Sequence, residues 1–281
     1  MANTEKASCA AVVKKAADLI RKSGRRIWAD EATAALAGSS CGNCNTLADL
    51  SARVDLLLVF GGDGTMLRAA REVTGSATPM LGVNTGSLGF LTAVSARDIG
   101  RALTRIWRGE IRFEQRVLLK AEGLTNGRRF SQQALNDFVI SRSTASRLIE
   151  LEVKIDGEAL TRYRCDGLIV SSPTGSTAYS LAAGGAVVFP TANVLEISPI
   201  CPHTLSNRSL IVPLDSTIQV KVVSLRPETS LSADGQVVTE LASGDVLTIR
   251  RARDPIRLTY LADSSFCETL RLKLHWRGAS F

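Results

Sequence analysis

Two glycine-rich segments carry the residue types that could do chemistry. The first is Phe60-Gly61-Gly62-Asp63-Gly64-Thr65. Glycines at 61, 62 and 64 let the backbone turn sharply and approach a ligand closely. An apolar run precedes the loop and a helical pattern follows it. The helix N-terminus then presents unpaired N–H groups and a positive dipole end, a setting suited to phosphate. Thr65 can cap that helix or touch a phosphate. Asp63 is the odd member, because a carboxylate repels phosphate. It can accept a proton from an attacking hydroxyl, or stand near a metal bound to phosphate. The plainer alternative is an Asp-Gly turn joining strand and helix. A Walker A loop would need Gly-Lys-Ser/Thr, which is not here. Nor is there a protein-kinase HRD or DFG set.

The second segment runs Arg164-Cys-Asp166-Gly-Leu-Ile-Val-Ser-Ser-Pro173-Thr-Gly175-Ser-Thr177-Ala-Tyr179-Ser-Leu-Ala182-Ala-Gly184-Gly185. A buried strand ends at Pro173, and a Gly/Ser/Thr turn opens a short helix. Hydroxyls and backbone amides gather at that helix start. Tyr179 adds a flat face on which a base could stack. Its bland alternative is a core tyrosine behind a capped helix.

The elements that must position these segments change character near residue 110. Before it, the spacing predicts helices over 10–23, 65–73 and 97–108. Short apolar runs at 54–60 and 79–83 read as strands buried on both faces, and 26–28 as a short strand. Strand alternating with helix indicates an α/β layer domain. After Ile111 the period drops to two. Strands are predicted at 117–122, 130–141, 149–155, 168–172, 194–198, 217–224 and 245–250. Thr125-Asn126-Gly127 and Asp156-Gly157 are hairpin turns. A helix over 264–274 is expected to return to the first domain. The expected domains are 1–110, 111–262 and 263–281.

Composition narrows the function classes. The 281 residues are 45% hydrophobic and 22% charged, which excludes a mostly disordered chain. No run of about 18 apolar residues occurs, so no membrane partner is expected. The start, Met1-Ala-Asn-Thr-Glu-Lys, lacks the continuous apolar stretch of a secretory signal, and a cytoplasmic location is expected. Net charge is 34 − 27 = +7, favouring polyanionic partners. The densest basic patch, Arg250, Arg251, Arg253 and Arg257, lacks interleaved aromatics, so nucleic acid is not expected. Cys41-Gly-Asn-Cys44 is half a zinc knuckle with no second half. All six cysteines are expected to be free thiols in a reducing compartment. Gly38-Ser-Ser40-Cys-Gly42 is a formal nucleophile-elbow pattern, but a helix-like run precedes it where a strand is required.

Taken together, the segments resemble the NAD kinase family. The resemblance lies in GGDGT, in Gly86-Ser-Leu-Gly-Phe90-Leu, in Leu135-Asn136-Asp137, in the long segment from Asp166 to Gly185, in Pro199-Ile-Cys-Pro-His203-Thr-Leu-Ser-Asn-Arg208 and in Asp234-Gly235-Gln236. These blocks span residues 60–236 in the family's order. GGDGT alone is shared with diacylglycerol and sphingosine kinases, whereas the PTGSTAY block is specific. The resemblance implies a Rossmann-like α/β domain, then a β-rich sandwich, with the site in a cleft between them. It implies transfer of a γ-phosphoryl from ATP, or in some members from polyphosphate, to the adenosine-ribose 2′-hydroxyl of NAD. A divalent cation, Mg²⁺ or Mn²⁺, is the implied cofactor, and a homodimer or homotetramer the implied assembly.

The resemblance also assigns roles by position. Asp63 matches the general base, Gly64 lies beside the ribose, and Gly61, Gly62, Gly64 and Thr65 form the phosphate loop. Asn136 and Asp137 match an Asn-acid pair holding the adenosine part; the usual acid is Glu, so Asp137 has the shorter reach. Thr177, Ala178 and Tyr179 match adenine-pocket positions, and Ser180, Leu181 and Ala182 are further NAD-binding positions. Asp166 matches a dinucleotide contact, Arg147 and Arg164 basic positions near its phosphates, and Gln236 a polar position on the far side. Arg68 is a further phosphate candidate, and His203 is read as structural. Ala182 stands where the family has Ser. The family's opening strand has no counterpart before residue 7, which suggests a start assigned too late. The alternatives are a lipid kinase of the same superfamily, which would need a membrane-facing feature, and a non-catalytic NAD(P)-binding protein, which would be expected to lack Asp63.

Overall fold

The computed structural model of the protein describes residues 1–5, 7–38, 41–87, 89–143, 147–203, 208–225 and 229–276. The chain divides into two compact units. One is Met1–Gln115 with Ile256–Phe281, and the other is Arg116–Pro255.

The first unit is built on a largely parallel sheet. Strand Met80–Asn84 lies at its centre, buried along its whole length. Leu57–Gly61 pairs with it on one side, and Thr92–Ser95 and Ile256–Leu261 are also parallel to it. Ile111–Arg116 completes the sheet. Burial on both faces explains the continuous apolar runs. Helices Ala7–Lys22 and Ile99–Trp107 bring Val13, Ala16, Ala17, Ile99 and Leu103 onto Phe60 and Val83. Strand alternation turns Gly82 to the other face. There Met66, from helix Asp63–Glu72, comes so near that a Cβ on Gly82 would stand 3.0 Å from its sulfur and 2.9 Å from the Thr92 Cα. The α/β layering expected from the sequence is present.

On the outer side of Leu57–Gly61, Ala2 makes a single parallel bridge to Phe60. The Met1 ammonium is buried there, 3.2 Å from the Leu58 carbonyl and 3.6 Å from Asp30. Burial lowers its pKa, against the pull of Asp30.

Two sequence expectations change here. The second domain is expected to run to residue 262, yet strand Ile256–Leu261 joins the parallel sheet of the first unit. The helix after the Gly-rich loop begins two residues early, at Asp63, with Gly62 as a cap that offers no side chain. Thr65 is therefore inside the helix and does not cap it.

The second unit is a sandwich of two six-stranded antiparallel sheets. The first runs in the order Glu158–Cys165, Ile149–Ile155, Ile218–Val222, Val246–Arg251, Leu119–Thr125, Arg128–Ala134. The second runs Leu210–Pro213, Val194–Ile200, Gly167–Ser171, Asp137–Arg142, Thr229–Ala233, Gln236–Leu241. Leu119, Leu151, Val220 and Ile249 from the first sheet share one core with Phe138, Ile140, Val170, Ile197 and Leu231 from the second. The expected hairpin turns form at Asn126-Gly127 and Asp156-Gly157. The run predicted as one strand over 130–141 divides at Leu135-Asn136, and its halves enter different sheets.

The crowding at Gly82 yields a test of this packing. Gly82→Ala should cost about 1–3 kcal/mol, the usual range for overpacking. The urea midpoint should fall at unchanged slope, because the exposed area on unfolding stays the same. An unaltered midpoint would contradict the close approach of helix and sheet.

Candidate active site

In the first unit, chemistry converges on the turn from strand Leu57–Gly61 into helix Asp63–Glu72. A cavity of about 170 Å³ opens there, lined by Gly62, Asp63, Asn84, Gly86, Ser87, Gly89 and Lys273. Asp63 is the first helical residue, where the dipole favours a negative charge. Its carboxylate accepts the Phe90 amide at 2.8 Å and the Leu91 amide at 3.0 Å. Asn84 pins the loop that supplies them. Its carbonyl oxygen accepts the Gly86 amide at 2.6 Å, and its amide donates to Thr92 Oγ1 at 3.1 Å. Thr92 Oγ1 in turn accepts the Gly89 amide. A Cβ on Gly89 would fall 1.9 Å from Asp63 Oδ1, so the loop can clasp the carboxylate only with glycine there. Gly61 serves Thr65 in the same way: its Cβ would meet Thr65 Oγ1 at 2.2 Å.

In the second unit, a polar turn forms where Leu135-Asn136 meets the segment after Gly167–Ser171. The Asn136 carbonyl accepts the Ser172 amide at 2.9 Å and Ser171 Oγ at 3.3 Å. The Leu135 carbonyl accepts Ser172 Oγ at 2.6 Å. A Cβ on Gly175 would reach 2.2 Å from the Asn136 oxygen, so this approach also needs glycine. The amides of Leu135 and Asn136 donate to the Asp234 carboxylate at 3.1 and 2.7 Å. Asp234 and Gly235 both have positive φ, at 48° and 76°, which shapes the hairpin tip that delivers this carboxylate. Thr177 and Ala178 are half-buried, and Tyr179 is 48% exposed at the start of helix Tyr179–Ala182. Tyr179 is thus a surface ring and not a core tyrosine.

Asp137 is 3% exposed, and its carboxyl is pushed up to about 7 by burial first and by the charge of Asp234 second.

Several expected site residues have other partners. The Ser180 hydroxyl is fully buried, donating to Glu196 at 2.8 Å and lying 3.0 Å from Ser198 Oγ. It braces the turn from inside. Leu181 is half-buried and Ala182 exposed. Arg68 is 61% exposed, pairs with Glu72 at 2.9 Å, and lines a different groove, with Asp30 and Asn45, and not the Asp63 cavity. Its place one turn into the helix turns it away from the loop. Asp166 pairs with Arg142 at 3.0 Å, and Arg164 approaches Glu150 at 3.9 Å. Arg147 and Gln236 are exposed. His203 is exposed too, its amide bonded to the Arg164 carbonyl. The rest of its block, 204–207, and Leu88 lie outside the described residues. The residue that sequence reasoning missed is Lys273. Its available signal was the i, i+4, i+7 spacing of Phe266, Leu270 and Lys273, which puts a lysine on the packing face of the last helix.

The Asp137 shift makes stability depend on pH. The folded carboxyl titrates near 7, and an unfolded one near 3.8. Between about pH 4 and 7 the folded chain holds a proton that the unfolded chain releases. Stability from this group therefore falls as pH rises through that window and stays low above it. Asp137→Asn should raise the melting temperature more at pH 8 than at pH 5, the difference corresponding to about 2–4 kcal/mol. Equal gains at both pH values in thermal melts would rule out the shift.

Comparison with known proteins places these features. Residues 11–111 match the ATP-NAD kinase N-terminal domain, and residues 135–261 the ATP-NAD kinase C-terminal domain. The NAD kinase of Moorella thermoacetica is 46% identical over 223 residues, covering 79% of this chain and 72% of that one. The NAD kinase of Thiobacillus denitrificans is 40% identical over 267 residues, covering 95% and 92%. The crystal structure of yeast NADH kinase complexed with NADH matches with a TM-score of 0.91 at 26% identity, over 100% of this chain and 87% of that one. The first family domain contains the GGDGT loop with its clasped aspartate, the second the Asn136 turn and Tyr179, and on that evidence the chain belongs to the NAD kinase family.

Proposed function

We propose that this enzyme phosphorylates the adenosine-ribose 2′-hydroxyl of NAD with ATP as donor, giving NADP. The observation that carries the reading is the Asp63 carboxylate, held by two amides at the wall of a cavity beside a helix N-terminus. Two amide bonds orient the carboxylate and leave a lone pair on each oxygen for a proton. As the 2′-oxygen attacks the γ-phosphorus, its proton passes to Asp63. The new 2′-O–P bond forms as the bond to the β-phosphate oxygen breaks, and ADP leaves. The presence of Asp63 favours an enzyme over a non-catalytic dinucleotide-binding protein. No described helix is long and apolar enough to cross a membrane.

On the acceptor side, the roles fall to Asn136, Thr177, Ala178 and Tyr179 at the adenine, with Leu181 and Ala182 beside them. Arg147 and Arg164 suit the dinucleotide phosphates, since a guanidinium binds phosphate bidentately. Asp137, Asp166 and Gln236 complete the reading as polar neighbours, and Gly64 is assigned to the ribose. Among the described residues, no three His, Cys, Asp or Glu side chains form a set able to hold a metal ion. A Mg²⁺ or Mn²⁺ carried on the donor phosphates would find Asp63, at the wall of the cavity, as its nearby carboxylate. When bound, that ion neutralises charge on the transferred group. Polyphosphate would present the same phosphoryl chemistry as ATP.

We read the enzyme as a cytoplasmic homo-oligomer. All six cysteines are free, as a reducing compartment allows. Ile211 and Val237, on the two outer strands of one sheet, are exposed apolar side chains suited to a second copy.

Incubation with ATP, Mg²⁺ and NAD, followed by enzymatic detection of NADP, tests the activity. Asp63→Asn should lower turnover by about 10²–10⁴-fold, the usual contribution of a general base, with NAD binding retained. A twofold drop would remove Asp63 from that role. Gly89→Ala should act on the same group from outside. The added methyl displaces the carboxylate, so turnover should fall by at least about 10²-fold while the circular dichroism spectrum is unchanged. Near wild-type turnover in this variant would show that the clasp is dispensable.

A further inference from the structure

The described lining of the Asp63 cavity contains a second charged side chain, Lys273. It is the last residue of helix Phe266–Lys273, more than two hundred positions downstream of Asp63. Phe266, Leu270 and Lys273 follow one face of that helix. The Phe266 ring lies 6.4 Å from the Phe90 ring, Leu270 is buried, and the Lys273 ammonium stands 5.8 Å from the Phe90 ring centre. The backbone of the same Phe90 donates its amide to Asp63. One residue thus steadies the carboxylate through its main chain and the ammonium through its ring.

We propose that Lys273 binds the terminal phosphate of the phosphoryl donor and offsets its repulsion from Asp63. The inference rests on the kinase reading above and adds the donor-binding residue to it. A phosphate next to a carboxylate is unfavourable unless a cation stands close to both. A lysine is suited to this task, being a compact charge with three donors on a flexible stem. Its cation–π contact with Phe90 holds the ammonium at the cavity, and among the described residues it makes no hydrogen bond that phosphate would have to break. The shared chemistry is the terminal phosphoryl group of a tri- or polyphosphate, so the position serves ATP and inorganic polyphosphate alike. A lysine in a last helical turn also favours the helix dipole. That purely structural role would leave donor affinity unchanged.

The test separates donor from acceptor. In Lys273→Met the KM for ATP should rise about tenfold or more, as expected for loss of a charge-assisted bond, while the KM for NAD stays within about twofold. Lys273→Arg should restore most of the donor affinity. A second arm with inorganic tripolyphosphate in place of ATP should show the same loss in binding by calorimetry if the phosphate chain is what Lys273 holds. A loss for ATP alone would overturn the shared-phosphate assignment. An unchanged ATP KM in Lys273→Met would overturn the proposal as a whole. If the variant does not fold, acetylation footprinting of the wild-type protein decides: tripolyphosphate should protect Lys273, and equal labelling with and without it would overturn the proposal. Absence of NADP formation by the wild-type enzyme would instead count against the kinase reading, and the footprint would still report on Lys273.

Discussion

The first unit is organised around one carboxylate that two backbone amides hold in place. Asp63 is delivered by the strand-to-helix turn, and the amides of Phe90 and Leu91 by a loop almost thirty residues on. The two must meet within hydrogen-bonding distance, and much of the surrounding sequence follows from that. Gly89 has no Cβ because the carboxylate occupies that space. Asn84 is buried so that its side chain can hold the start of the loop. Gly82 is small so that the helix bearing Asp63 can seat Met66 against the sheet. Each is a steric or hydrogen-bonding condition on a single contact.

The second unit uses a carboxylate in a comparable way. Asp234, at a hairpin tip, takes the amides of Leu135 and Asn136, which stand where a strand of one sheet gives way to a strand of the other. The backbone there has no ladder partner, and buried amides must be satisfied. The nearby Asp137 is raised to about 7, first because burial disfavours its charged form and second because the charge of Asp234 stands near it. Behind the following turn, Glu196 accepts from the Ser180 hydroxyl and from the Ala186 amide at 2.6 Å. The exposed Tyr179 is thus followed directly by a buried serine that these hydrogen bonds anchor.

Much of this was legible in the sequence. Period-two patterns with Asn-Gly and Asp-Gly turns located the sandwich hairpins, and unbroken apolar runs located the parallel strands, because both signals are local. GGDGT marked the turn where Asp63 lies. What stayed hidden depends on which distant segments meet. Ser180 and Tyr179 are adjacent in the chain, yet one is enclosed and the other exposed. Arg68 and Lys273 are both basic residues on helices near chemistry, yet only Lys273 lines the cavity. Ile256–Leu261 falls within the span expected for the second domain, yet it pairs with a parallel strand of the first unit.

By itself the sequence determined the two-part architecture, the family resemblance and the chemical type of the Asp63 and Tyr179 segments. These follow from side-chain period, turn residues and motif order, all properties of neighbours along the chain. Only the tertiary structure decided what faces what: that Phe90 and Leu91 hold Asp63, that Asp234 holds Asn136, and that the last helix brings a lysine to the first loop. Hydrogen bonds and burial act over a few ångströms in space, and a chain of letters does not state which residues folding will bring within that range.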